Sequence, residues 1–69
     1  MDFTISEKLR TIMRRNKITM VELARRTEQT PQNLSHKFKR DNFTVRELSR
    51  LANALDYELL LDFKQLNEQ

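Results

Sequence analysis

Between Thr30 and Arg40 the chain reads TPQNLSHKFKR, and four of its side chains can bond in chemically specific ways. Gln32 and Asn33 are amides. Each presents a donor and an acceptor side by side, the pattern that meets the N6 and N7 edge of adenine. His36 offers a donor, an acceptor or both. Lys37 offers three donors, to a guanine edge or to a phosphate. The same residues would serve equally as the solvated face of a helix, so their placement decides between the two roles. Covalent chemistry is poorly provided for. Ser35 and His36 are adjacent and would diverge on a helix, and no second histidine or cysteine completes a nucleophile–base pair. One histidine without any cysteine makes no recognisable zinc ligand set. No enzyme activity, metal or cofactor is therefore expected.

The elements that must position these side chains are marked by their caps. Thr30 precedes Pro31, a cap followed by the one residue whose missing N–H costs nothing at a helix start. The resulting helix runs to about Phe38 and has a narrow apolar edge, Leu34 and Phe38. A helix before it starts at Thr19. There Glu22 stands at the capping-box position and Ile18 can staple against Leu23, with Val21, Leu23, Ala24 and Thr27 as its inner surface. A first helix spans Thr4 or Ser6 to Arg15, with Thr4 and Glu7 as a capping box and Asn16 as a left-handed terminator. A fourth starts at Thr44 with Glu47, after an Asp41-Asn42 turn. Leu9, Ile12, Leu23, Ala24, Leu34, Leu48, Leu51 and Leu55 should meet in the core, with Phe38 and Phe43 closing one side. Two short helices joined as tightly as the second and third can present the later one outward, into a DNA major groove.

Charge is unevenly spread. Residues 1–50 carry twelve Lys or Arg against six Asp or Glu, and residues 51–69 carry one against four. A basic body suits a polyanion, and an acidic, apolar tail suits another task. At 69 residues the chain buries only about 60% of its unfolded surface, so a partner subunit would help it. No secretory leader pattern opens it and its longest apolar run is Leu59–Leu61, so a cytoplasmic protein without a membrane span is expected.

The tail, DYELLLDFK, alternates Tyr57, Leu59, Leu61 and Phe63 with Glu58, Leu60, Asp62 and Lys64. That is strand periodicity, with a helix as the rival. We read a strand. It would need a partner, and antiparallel pairing with a second copy would supply one. The chain thus divides into a body, 1–56, and a strand or arm, 57–69, serving dimerisation within the same domain.

Three segments together resemble the phage-repressor-like helix-turn-helix family, of Cro/repressor or Xre type: TMVELARR at 19–26, TPQNLS at 30–35 and LSRLANAL at 48–55. The likeness covers roughly Leu9 to Leu55. It implies an all-α core, a four-helix repressor-like helix-turn-helix domain, here with a C-terminal β-strand. It also implies a bacterial or phage transcriptional regulator, a dimeric repressor of double-stranded DNA. The helix from Thr30 matches the recognition helix, which makes Gln32, Asn33, His36 and Lys37 base-reading candidates. Thr30, Ser35, Lys39, Arg40 and Arg46, with Arg14, Arg15 and Lys17, become candidates for the DNA backbone. Tyr57, Leu59, Leu61 and Phe63 become the dimerisation set. Two positions depart from the family. Met20 stands where Gln often contacts a phosphate, and Glu28 stands where the turn usually has Gly, so a reshaped turn is expected. The rival reading is a protein-interaction module of the same fold, an antitoxin-type partner binder that uses the tail and has little specific DNA binding.

Overall fold

The computed structural model describes residues 4–67. Four helices follow one another: α1, Ile5–Asn16; α2, Met20–Arg26; α3, Pro31–Arg40; α4, Val45–Ala54. Each begins at a threonine. The hydroxyls of Thr4, Thr19, Thr30 and Thr44 accept from the N–H three residues on, at 3.0–3.1 Å. Each cap thereby satisfies a donor that the helix cannot satisfy itself. The boxes at Thr4/Glu7 and Thr44/Glu47 close in both directions. The one expected at Thr19 does not. Glu22 turns instead to Arg25 and Arg26, three and four residues further along its own helix.

The helix ends share a second device. The left-handed residues are Lys17, Glu28, Asp41 and Asp56, at φ 57°, 57°, 53° and 65°, one after each helix. In every case the N–H of that residue and the next reach back to the last turn, as in Glu28 to the Arg25 carbonyl at 3.2 Å and Gln29 to the Ala24 carbonyl at 3.0 Å. These are Schellman closures without a glycine. The turn at Glu28 is therefore not reshaped; it takes the left-handed form with a bulkier residue. Asn16 is not the left-handed residue at the end of α1. It remains helical and donates to the Ile12 carbonyl at 2.8 Å, while Lys17 takes the positive φ.

Leu23, Leu34, Leu51 and Leu55 are fully buried, with Leu9, Met13, Ala24 and Phe38 around them. Ile12, Leu48 and Phe43 pack at the edge. The Phe43 ring meets Phe38 edge-on, with centroids 5.5 Å apart. Val21, placed on the inner face of α2 by its spacing, is 63% exposed. Seven residues of α2 bury only Leu23 and Ala24, and Val21 falls outside that narrow stripe.

Paired polar bonds help to fix the helices to one another. Asp41 Oδ1 accepts from the Ser6 N–H at 2.7 Å, and Ser6 Oγ donates to the Phe38 carbonyl at 2.6 Å. The end of α3 thus caps the start of α1. Across the domain, Arg26 donates to the Ala54 carbonyl at 2.9 Å and Arg50 to the Thr27 carbonyl at 3.2 Å. Each of α2 and α4 closes the other's C-terminal end.

The expected C-terminal β-strand is absent: among the described residues, 57–67 form no strand. A strand needs a neighbour at about 4.8 Å to take its backbone bonds, and among the described residues the four helices offer no such edge. Only the first half of the alternating pattern is used within the chain. Tyr57 and Leu59 turn back, half-buried, beside Ile12, Leu48 and Ala52. Beyond them the chain leaves the body, and Leu60, Leu61, Phe63 and Leu66 are 82%, 64%, 86% and 95% exposed.

Candidate nucleic-acid interface

The 3.6-residue period sorts the side chains of α3. Leu34 and Phe38 enter the core. Gln32, His36 and Arg40 recur every four residues on the opposite side, with Asn33 and Lys39 flanking them, and all five are exposed. No acidic residue occupies the first turn of α3, whereas Lys37, Lys39 and Arg40 fill its last. Cations there complement the negative end of the helix dipole. The Thr30 hydroxyl is committed to the Asn33 N–H at 3.0 Å, and Ser35 is half-buried.

The turn before α3 braces one of these side chains. Asn33 Nδ2 donates to Gln29 Oε1 at 3.3 Å, and Gln29 Nε2 donates to Thr27 Oγ1 at 2.8 Å. Thr27 itself is buried, its hydroxyl donating to the Leu23 carbonyl at 2.9 Å. The Asn33 amide is thus tied, through two side chains, to the core of α2. Gln29 was not among the residues singled out by sequence. Its position one before the cap was the available signal.

Lys37 is placed differently from Gln32 and His36. Its ammonium pairs with the Glu47 carboxylate of α4. The other Glu47 oxygen accepts from the Thr44 N–H at 2.9 Å. The hydrogen bond from Lys37, followed by that from the Thr44 amide, holds the Glu47 carboxyl below its ordinary value. Around this pair lies a shallow cleft between α3 and the start of α4, lined also by Asn33, His36, Arg40 and Asn42. Arg46 is exposed in the first turn of α4.

The domain profile described as the Cro/C1-type HTH DNA-binding domain matches residues 8–60, most of the chain. This chain belongs to that family. No curated protein and no solved structure matches the chain significantly. The Cro/C1-type domain is a DNA-binding, non-catalytic unit. Its helix-turn-helix is α2, the Glu28 turn and α3.

Within this Cro/C1-type domain several of the other basic residues have partners of their own. Arg10 lies over the Phe38 ring, 5.1 Å from its centroid. Arg25 and Arg26 flank Glu22, whose carboxyl they pull down to about 2, Arg25 contributing most. Arg14, Arg15 and Lys17 are exposed at the end of α1 remote from Asp41, about 18 Å along a helix of this length. Arg15 stands beside Tyr57, whose hydroxyl is acidified first by the Asn16 amide and then by Arg15. Of the dimerisation set, Tyr57 and Leu59 pack on their own body, while Leu61 and Phe63 stay exposed. Among the described residues no three His, Asp or Glu side chains gather to hold a metal ion, and no helix is long and apolar enough to cross a membrane.

Proposed function

We propose that this Cro/C1-type domain is a sequence-specific regulator of transcription that lays α3 in the major groove of double-stranded DNA. The observation that carries the reading is the outward row on α3. On α3, which carries no carboxylate, Gln32, Asn33 and His36 form an exposed face flanked by Lys39 and Arg40, and Arg46 is exposed in the first turn of α4. Gln32 and Asn33 read adenine edges, and His36 reads a neighbouring base. Thr30, Ser35, Lys39, Arg40 and Arg46 set the register on phosphates. Lys37 stands at the margin of the base-reading face, tied to Glu47. Arg14, Arg15 and Lys17 serve flanking phosphates, so their loss should be felt on long duplexes and not on short ones.

One recognition helix buries little area, and pairing two copies would raise affinity and specificity together. The exposed Leu61 and Phe63, helped by Leu60 and Leu66, favour such a homodimer, with two α3 helices about 34–36 Å apart on a near-palindromic site. Repression by blocking a promoter is the simplest outcome of such binding, in the cytoplasm of a bacterial host. Selection from a random duplex library with the full chain tests the reading. A defined, near-symmetric site is expected, and equal binding of every duplex would refute it. The same exposed apolar residues favour a second reading, a protein partner held by the tail. Phe63→Asp would then abolish partner capture and leave DNA selection unchanged, whereas in the dimer reading it weakens DNA binding.

A further inference from the structure

We infer that Glu47 is a positioning residue for DNA recognition, one that withholds the charge of Lys37 from the phosphate backbone. The inference rests on the DNA-binding reading above and deepens it. Asp41 and Glu47 are the two carboxylates between Thr30 and Arg50. Asp41 is occupied with the Ser6 N–H. Glu47 lines the cleft beside the reading face, together with Asn33, His36 and Arg40.

Its position there is fixed. One oxygen accepts the Thr44 N–H, and its own N–H donates to the Thr44 hydroxyl at 3.1 Å. The capping box therefore aims the second oxygen at α3, where the Lys37 ammonium meets it. Both side chains are about two-thirds covered, at 29% and 32% exposure, so the pair is less screened than one on open surface. A carboxylate next to a polyanion is repulsive unless neutralised. Paired with Lys37 it is neutral, and the pair forms an uncharged element within a basic rim.

Binding to any DNA scales with the number of phosphates neutralised, whereas discrimination comes from base edges. By holding Lys37, Glu47 lowers affinity for random DNA and leaves the amide readers to decide the site. It raises the ratio of specific to non-specific binding without touching a base.

The test is the salt dependence of full-length chain on a random 20-base-pair duplex and on its selected site. Glu47→Gln keeps an oxygen for the Thr44 N–H and frees Lys37. Each added phosphate contact steepens the log–log slope by about 0.9, so affinity should fall about 3.5-fold more than wild type between 50 and 200 mM salt. Binding to random duplex at 50 mM should tighten several-fold, and the specificity ratio should drop. The double variant Glu47→Gln/Lys37→Met should return to the wild-type slope. A double variant as steep as Glu47→Gln would mean that Glu47 acts by its own charge, and an unchanged slope in Glu47→Gln would mean that Lys37 stays off the backbone regardless. Either result overturns the inference while leaving DNA binding intact. Wild-type protein that binds neither duplex would overturn the DNA reading, and this inference with it.

Discussion

Replacing Glu28 by glycine should stabilise the domain. Glu28 holds φ at 57° in the turn between α2 and α3. A side chain in that region crowds its own carbonyl at a cost of about 1–2 kcal/mol, and glycine removes the crowding. Against this, glycine widens the unfolded ensemble by about 0.4–1 kcal/mol. The Glu28 side chain is exposed and has water to return to, so little else is lost. The net gain is about 0.5–1 kcal/mol, which in a domain of this size raises Tm by about 2–8 °C. Thermal unfolding followed by far-UV circular dichroism reads it directly, with Glu28→Ala as the control that keeps the crowding. Asp41→Gly sharpens the contrast. Asp41 has nearly the same φ, but its carboxylate holds the Ser6 N–H, and its replacement should lower Tm. A Glu28→Gly protein no more stable than Glu28→Ala would refute the argument that backbone strain resides in this turn.

Leu51→Ala should cost about 2–5 kcal/mol, measured by urea titration, because Leu51 is 2% exposed at the centre of the core; a loss below about 0.5 kcal/mol contradicts its placement. Gln32→Ala and Asn33→Ala should each alter preference at particular base pairs by about 1–3 kcal/mol, read by competition with single-base variants of the selected site. Lys39→Ala or Arg46→Ala should instead weaken all sites alike and lower the salt slope by about one. The bond from the Ser6 N–H holds the Asp41 carboxyl below its ordinary value. Its folded pKa lies below the unfolded one. Its stabilisation is therefore complete above about pH 4 and fades as pH falls through the depressed folded value. Asp41→Asn should flatten the acid limb of stability against pH, and an unaltered limb would assign acid unfolding to other carboxylates.

The four helices were legible because their starts are local. A threonine before each apolar run needs only the next three residues to act as a cap, and Thr4, Thr19, Thr30 and Thr44 all do so. The leucine core followed from spacing for the same reason. What sequence did not show depends on distant partners. Glu22 had the same spacing from its cap as Glu7 and Glu47, yet two arginines on its own helix compete for it. Ser6 and Asp41 are 35 residues apart, and nothing local announces their bond. The alternation at 57–63 marks two faces only at Tyr57 and Leu59; a strand is a property of two segments, and among the described residues no second segment pairs with it. For the candidate site, the types on α3 could be read directly. The commitment of Lys37 to Glu47 needed the placement of the start of α4 beside α3 to become visible.

The exchange of arginines between α2 and α4 bears on how the domain opens. A helix end ordinarily frays by itself, because its last carbonyls are bound only to water. Here the end of α2 is closed by Arg50 and the end of α4 by Arg26. Unwinding the last turn of α2 displaces Arg26 and uncovers Ala54; unwinding α4 back to Arg50 uncovers Thr27. The two ends should therefore open as one unit. In native-state hydrogen exchange, amides of the final turns of both helices should report one shared opening free energy. Arg26→Met should lower protection in α4 as well as in α2, and the turn leading into α3 and the root of the tail should loosen together.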